Sequence, residues 1–459
     1  MKIKGFPLAF IAAVIVVGSA CTGTQSTPAA TTASPQPSGS SAAAAPATQP
    51  VTLKVWTRNY TVQDPTAAGS GPSPFFAVRD KWKTTHPNVT VELSGVPYDP
   101  QYQRLLLSQN GSIADKPDVF LMDNIWLGQF SENGLAANLD PYYAKWTGPT
   151  GASDISDAFV ASSKWNGSQY GVWAYSDIRL FVWNKDVFRA AGLDPEKAPT
   201  TWQEVMDDAD AIKAKVRGVS PIGFPAGSFE ATVDRFYSYL FMTGSKILDS
   251  TNKRAVFNDA GGQKAVQFLV DLVKKGYASQ DVLGLDADPV VSSLYAGKIG
   301  MMLATVGDAS AARPAGMTTD QFKAKIGAAL PPICDGCKQA TTAGGWMLGI
   351  GKDSRNKDLA WEFIQDVTDG ANMVPFDAFF VRVPVRKTGL AQADAFKADP
   401  YFAESAKAIG VAQFPPFVAK YTQIEEPIWT AIQSAIQGTP VKEALDKAAK
   451  DVDKILASK

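Results

Sequence analysis

The sequence predicts an α/β protein with two domains, and three observations support this. Short strand-like runs, either apolar throughout or apolar at every second residue, are separated by amphipathic helical runs. This order is typical of a sheet covered by helices. One run, PDVFLMD at 117–123, is largely apolar and begins with a proline, as expected of a buried parallel strand. The chain beyond residue 50 is also long enough to fill two hydrophobic cores.

Each predicted element rests on periodicity or on residues that begin and end helices. VTLKVWT at 51–57 and NVTVELSGV at 88–96 alternate as strands do, and a helix over 77–85 separates them. Gly192 is placed to close a short helix, and TWQE at 201–204 has the pattern of a capping box that opens the next helix. The other predictions are strands over 117–123, 170–177 and 178–184 and helices over 102–109, 186–191, 262–275, 357–366, 424–437 and 441–456.

The N-terminus, MKIKGFPLAFIAAVIVVGSAC, has the three parts of a secretory signal peptide. Two lysines precede a short apolar run, and small residues lead up to Cys21. This ending resembles the lipobox of bacterial lipoproteins, in which the cysteine is acylated and becomes the new N-terminus. We therefore expect residues 1–20 to be removed and Cys21 to be lipidated, which would anchor an extracytoplasmic protein to the cell membrane. The alternative is an ordinary cysteine close to an ordinary cleavage site.

The stretch over 21–50 predicts a flexible tether. After Cys21 it contains no charged, aromatic or branched aliphatic residue, so it cannot bury enough surface to offset the entropy of ordering. A coil of this length reaches roughly 30 Å. The sequence thus predicts a globular body held at a distance from the membrane.

The two other cysteines, Cys334 and Cys337, lie in ICDGC and predict a small structural disulfide. The chain is expected in an oxidising compartment, and a zinc site would need two more ligands in a sequence with one histidine. A thioredoxin-type centre would place the pair at the start of a helix, whereas prolines precede it here. Closing so short a loop contributes only about 2 kcal/mol.

Composition argues against several classes of function. The formal net charge of −1 gives no basic surface for nucleic acid, and no second apolar run is long enough to cross a membrane. The single histidine argues against Ser-His-Asp or Cys-His catalysis, and no phosphate-binding or metalloprotease motif is present. No cofactor or metal is expected. The 11 tryptophans and 13 tyrosines supply flat rings of the kind that bind the apolar face of a sugar.

Six segments are distributed in order along residues 51–459. They are PDVFLMDNIWLGQFSENGLAANLDPYY, YGVWAYSDIRLFVWNKDVFRAAGLDPEKAPTTWQEV, LYAGKIGMMLATVGDA, TTAGGWMLGIGKDSRNKDLAWEFIQDV, RVPVRKTGL and IWTAIQSAIQGTPVKEALDKAAKDVDKIL. Together and in this order they resemble the maltose-type extracellular solute-binding proteins, the lipoprotein receptors of sugar ABC importers.

The resemblance implies a two-lobed, type II periplasmic-binding-protein-like fold, with a hinge and a ligand cleft between the lobes. The chain is expected to cross between lobes near residues 174, 345 and 384. The N-terminal lobe would then comprise 51–173 plus 346–383, and the C-terminal lobe 174–345 plus 384–459. The implied function is capture of a mono- to oligosaccharide and its delivery to ABC permease subunits, by a monomer without catalytic activity.

The same resemblance, together with strand ends, gives the candidate ligand-binding residues. Asp123 follows a predicted parallel strand, where a crevice opens, although it could instead cap a helix. Asp177 matches an acidic position of the family and could instead be a turn residue. Trp346 follows two glycines that allow close backbone approach, and Trp429 matches a stacking ring; either could instead be a packing residue. The other candidates are Arg58, Asn59, Tyr60, Trp126, Tyr175, Phe229, Glu230, Asp308, Gly345 and Arg382.

Two alternative functions stay open. A secreted carbohydrate enzyme could use Asp123 and Asp177 as acid and base. The same fold could instead bind a peptide, a polyamine or a phosphodiester. A phosphate-bearing ligand would favour clustered basic residues, whereas Arg58, Arg179 and Arg382 are scattered in the sequence.

Overall fold

The computed structural model of the protein describes residues 49–62, 72–109, 111–305, 307, 317–380, 382–391 and 400–458. The predicted signal peptide, Cys21 and nearly all of the predicted tether lie outside the described residues, and so does Asp308. No helix among the described residues is long and apolar enough to cross a membrane.

The strands carry the architecture and are numbered in chain order. They are β1 (Val51–Arg58), β2 (Val89–Val96), β3 (Val119–Asp123), β4 (Lys164–Trp165), β5 (Ser168–Gln169), β6 (Val172–Asn184), β7 (Ser220–Ile222), β8 (Ile299–Thr305), β9 (Ile326–Ala329), β10 (Thr341–Ile350) and β11 (Ala412–Gln413).

Nine of these strands form one mixed sheet, in the order β2-β1-β3-β10-β6-β8-β7, with β11 beside β10 and β9 beside β6. β1 is parallel to β2 and β3, whereas β10 is antiparallel to β3 and β6. β4 and β5 pair separately. The mixed sheet confirms the predicted α/β class.

Helices form most of the connections between the strands. The α-helices are Pro74–Thr85, Tyr98–Gln109, Leu127–Glu132, Asp140–Tyr143, Asp157–Ser162, Lys185–Ala191, Trp202–Lys215, Glu230–Met242, Ala260–Lys274, Ala287–Tyr295, Thr319–Lys325, Lys357–Val367, Gly370–Phe380, Lys387–Ala391, Pro400–Ile409, Tyr421–Ile436 and Val441–Ala457. Short 3-10 helices cover Asn59–Val62, Asn124–Trp126, Ala152–Asp154 and Gln280–Gly284.

β6 lies at the centre of the fold and differs from the prediction of two successive strands. All 13 of its residues are buried. Phe181 and Trp183 belong to one hydrophobic cluster, and Leu180 and Val182 belong to another. Successive side chains of a strand point to opposite faces, so β6 packs against a core on each side. This explains why its sequence is apolar without the alternation of a half-exposed strand.

The local predictions around the next helices are largely confirmed. Gly192 closes the Lys185–Ala191 helix with φ of 75°, in the left-handed region that favours glycine. Thr201 caps the Trp202–Lys215 helix by accepting a hydrogen bond from the Glu204 backbone N–H at 3.1 Å. The capping box is not completed as predicted, because the Glu204 carboxylate accepts from the backbone N–H of Thr200, at 2.6 Å. A disulfide joins Cys334 and Cys337, as predicted.

Three chain segments meet near the centre of the sheet. Gly345 in β10 lies opposite Ser176 in β6, and Ser176 also bridges Val383. Residues near 174, 345 and 384, where the sequence predicts crossings between lobes, are therefore neighbours in space. The lobe boundaries themselves stay a prediction.

Gly345 is expected to tolerate no side chain. Its φ is 142°, and a Cβ atom built there would lie 2.5 Å from the Tyr175 carbonyl oxygen and 2.8 Å from the Ser176 Cα. Because both contacts are with backbone, we expect Gly345→Ala to lower the free energy of unfolding by about 2–3 kcal/mol. Gly344→Ala is the matched control, because its nearest atoms lie 3.4 Å away. Equal urea midpoints for the two variants would contradict this account.

Candidate functional site

A cavity of about 480 Å³ lies where β1 and β3 end. Arg58 is the last residue of β1 and Asp123 the last of β3, so the cavity sits at the carboxyl ends of parallel strands. The helices Glu230–Met242 and Tyr421–Ile436 contribute residues to its wall. The predicted residues that line it are Arg58, Tyr60, Asp123, Trp126, Asp177, Phe229, Glu230, Trp346, Arg382 and Trp429.

Three described candidates are not among the lining residues. Asn59 is exposed. Tyr175 is buried, and its hydroxyl oxygen lies 2.5 Å from that of Tyr60. Gly345 contributes backbone, and its N–H donates to the Asn124 side-chain oxygen at 3.0 Å. Tyr175 and Gly345 therefore support neighbours of the cavity instead of facing it.

Aromatic rings form one wall of the cavity. Trp346 meets Trp126 edge to face, with ring centroids 5.8 Å apart and an interplanar angle of 83°. Tyr98 meets Trp346 in the same way, at 5.9 Å and 88°. Edge-to-face packing is a favoured arrangement of aromatic rings. Each ring is therefore held in place by the others, so the wall is rigid.

The guanidinium of Arg58 packs against the faces of two rings in this wall. Its guanidinium carbon lies 5.2 Å from the centroid of Tyr98 and 5.1 Å from that of Trp346, within the range of a cation–π contact. Its Nε and Nη1 atoms are buried and have no hydrogen-bond partner among the described residues. A guanidinium fixed by its faces in this way can offer its N–H groups to an oxygen of a bound molecule.

Two clusters of ion pairs lie beside the cavity. Asp234 accepts hydrogen bonds at one oxygen from Arg179 Nε, at 2.6 Å, and from Arg235 Nη1, at 2.7 Å. Asp177 pairs with Arg382. These contacts set the orientation of the arginines on this side of the site.

Five further carboxyl groups line the cavity outside these pairs, those of Asp123, Glu230, Asp286, Asp288 and Glu425. Asp123 Oδ1 caps the short 124–126 helix, at 3.2 Å from the Ile125 N–H, and its Oδ2 accepts from the Tyr98 hydroxyl at 3.1 Å. It is therefore both a helix cap and a lining residue. Burial raises its pKa to about 6. Burial, together with the charges of nearby carboxylates, also raises the pKa of Glu230 and of Glu425 well above the ordinary value.

Sequence reasoning missed several lining residues. Glu425 lies one helical turn before Trp429, and residues four apart share a helix face, so this spacing could have indicated it. Arg179 lies two residues after Asp177, on the same face of β6. Tyr98, Tyr102, Arg235 and Thr422 also line the cavity, and no local signal distinguishes them.

Asp123→Asn is expected to change the pH dependence of stability. Between about pH 4 and pH 6 the carboxyl is protonated in the folded protein and ionised in the unfolded chain. The folded state then binds more protons, so this group lowers the free energy of unfolding as the pH rises, by roughly 2–3 kcal/mol in total. Denaturant titrations should show that, as the pH rises from about 4 to about 6, the asparagine variant becomes more stable relative to the native protein. Parallel stability curves would contradict the expectation.

The family follows from comparison of the whole chain with known proteins. A family model described as bacterial extracellular solute-binding protein matches residues 68–369, which is more than half of the chain. The chain belongs to this family. A probable amino-acid ABC transporter periplasmic-binding protein of Sinorhizobium fredii is 26% identical over 379 residues, covering 79% of this chain and 82% of the relative. The protein is therefore an extracellular solute-binding protein.

Solved structures share the fold. A solute-binding protein from Thermotoga lettingae, bound with α-D-tagatose, aligns with a TM-score of 0.79 and 24% identity, covering 88% of this chain and all (100%) of that one. A maltose-bound protein of T. maritima aligns with a TM-score of 0.75 and 22% identity, covering 88% and 99%. These similarities confirm the predicted two-lobed solute-binding fold. The family is extracellular or periplasmic, in agreement with the predicted extracytoplasmic location.

Proposed function

We propose that the protein captures a carbohydrate in this cavity and delivers it to the permease subunits of an ABC importer. The observation that carries the proposal is the combination of a rigid aromatic wall, built on Trp126 and Trp346, with polar groups around the same space. Ring faces bind the apolar face of a sugar, and carboxyl and guanidinium groups bind its hydroxyls. The volume of about 480 Å³ lies within the range of small-molecule sites.

The ligands of two solved structures support the same choice of ligand. The two solved structures described above hold α-D-tagatose and maltose, both of them sugars. Catalysis is not part of the proposal, because Asp177 is engaged by Arg382 and so is poorly placed to act as the second carboxyl beside Asp123.

The lobes and the membrane anchor complete the proposal. Lining residues come from both predicted lobes, for example Arg58 and Trp346 from 51–173 plus 346–383, and Glu230 and Trp429 from 174–345 plus 384–459. The lobes would close around the sugar by a hinge at the three adjacent crossings. Lipidated Cys21 and the tether over 21–50 would keep a monomeric receptor near its permease.

Thermal melting of the purified protein against a broad sugar panel tests the proposal. A sugar present at 100 times its dissociation constant should add about 2.7 kcal/mol to the free energy of unfolding and raise the melting temperature by a few degrees. The matched controls are a peptide, a polyamine and a glycerol phosphodiester at equal concentration. A shift with one of these controls and with no sugar would overturn the carbohydrate assignment.

A further inference from the structure

One part of the cavity is richer in carboxyl groups than its cations can balance. Asp123, Glu230 and Glu425 all line it, and none of them takes part in an ion pair among the described residues. Their charges interact, because Glu230 and Asp123 each raise the pKa of Glu425, and Asp123 raises that of Glu230. The three groups therefore form one cluster, which we call the carboxyl cluster.

The charged neighbours offset the carboxyl cluster only in part: Arg179 and Arg235 lower the pKa of Glu230, and Arg179 lowers that of Asp123. Arg179 and Arg235 face it from β6 and the Glu230–Met242 helix, but both donate to Asp234, which adds a further negative charge. Arg382 is paired with Asp177. Arg58 lies on the aromatic wall, against Tyr98 and Trp346. Tyr98 donates to Asp123, and the hydroxyls of Tyr237 and Tyr421 lie near Glu425 but carry no charge in the neutral form.

The surroundings of Glu425 are a second observation, independent of the number of carboxyl groups, that points to a cationic ligand. Glu425 is only 4% exposed and lines the cavity, and its Oε1 has no hydrogen-bond partner among the described residues. A buried acceptor without a donor is costly, and an ionised carboxylate without a counter-charge is more so. A bound group that brings both donors and positive charge would remove both costs.

We propose that the solute carries a protonated amine that binds at the carboxyl cluster, with Glu425 as its principal partner. This inference rests on the proposed function and narrows the carbohydrate to an amino sugar or an amine-bearing glycoside. An ammonium group offers three N–H donors and a positive charge. A sugar hydroxyl in the same place supplies one donor and no charge.

Calorimetric titration with matched sugars tests this proposal. The probes are glucosamine with glucose, galactosamine with galactose, and the β-1,4 glucosamine disaccharide with cellobiose and N,N′-diacetylchitobiose. Near neutral pH we expect at least one amine to bind about tenfold or more tightly than its hydroxyl counterpart, a difference that acetylation of the amine removes. If the hydroxyl sugar binds as well as or better than the amine in every pair, the proposal is wrong although the carbohydrate assignment stands. If no sugar of either kind binds, both are wrong.

Glu425→Gln separates charge from shape at the site. Glutamine has nearly the same size as glutamate but no negative charge. We therefore expect the preference for the amine to fall about tenfold, because the charge that binds the ammonium is lost. The affinity for the hydroxyl sugar should change by less than about threefold, because the shape of the site is kept. Glu426→Gln is the matched control, because Glu426 is the next residue of the same helix and is exposed. Glu230→Gln is the second variant, in case Glu425→Gln does not fold. An unchanged preference in the folded variants would overturn the proposal.

Discussion

Trp346→Ala is expected to remove most of the solute affinity and to lower the free energy of unfolding by about 3–5 kcal/mol. Trp346 is 6% exposed and packs against Trp126, Tyr98 and the guanidinium of Arg58. Its removal therefore leaves a void in the aromatic wall and deprives the solute of a ring face. We expect the dissociation constant to rise about tenfold to a hundredfold, measured by calorimetry on the folded variant.

Trp361→Ala is the control that separates folding from binding. Trp361 is also nearly buried, at 7% exposure, and packs against Tyr142 at 5.3 Å and Trp146 at 5.2 Å, away from the cavity. Its loss should cost a similar amount of stability and leave the dissociation constant unchanged. If both variants weakened binding equally, Trp346 would be a packing residue without a contact to the solute.

Asp234→Asn is expected to be the most destabilising of the changes in charge, by about 3–5 kcal/mol. The Asp234 side chain is 3% exposed, and one of its oxygens accepts from both Arg179 and Arg235. Replacing the carboxylate with an amide leaves two buried guanidinium groups without the negative charge on which they converge. Denaturant unfolding followed by circular dichroism measures the loss.

An exposed ion pair provides the comparison for Asp234. Asp186 pairs with Arg189 at 2.6 Å, but its side chain is 62% exposed. Asp186→Asn should therefore change the free energy of unfolding by less than about 1 kcal/mol, because exposed pairs contribute little. Comparable losses for the two asparagine variants would show that burial does not set the value of the Asp234 contacts.

The elements that the sequence predicts well are those with local signals. Alternation identified β1 and β2, and the left-handed requirement at Gly192 identified a helix end. The disulfide was predictable because Cys334 and Cys337 are three residues apart. By contrast, the contact between Arg179 and Asp234 spans 55 residues, and nothing in either segment indicates the other.

The candidate site was predicted unevenly for the same reason. Asp123 and Arg58 are the last residues of their strands, so the rule for parallel sheets predicts their place at the edge where the cavity lies. Glu425 occupies an ordinary helix position, and only the packing of that helix against the cavity shows that its carboxyl is enclosed. Sequence patterns also cannot show how many carboxyl groups share one space, although this number decides the charge that a solute meets.

The most direct test of the central claim is a crystal structure of the protein with the sugar that gives the largest melting shift. We expect the sugar in the cavity, with a ring face against Trp346 or Trp429 and polar contacts to Asp123 and Arg58. A sugar bound elsewhere on the protein, with the cavity free of it, would contradict the account.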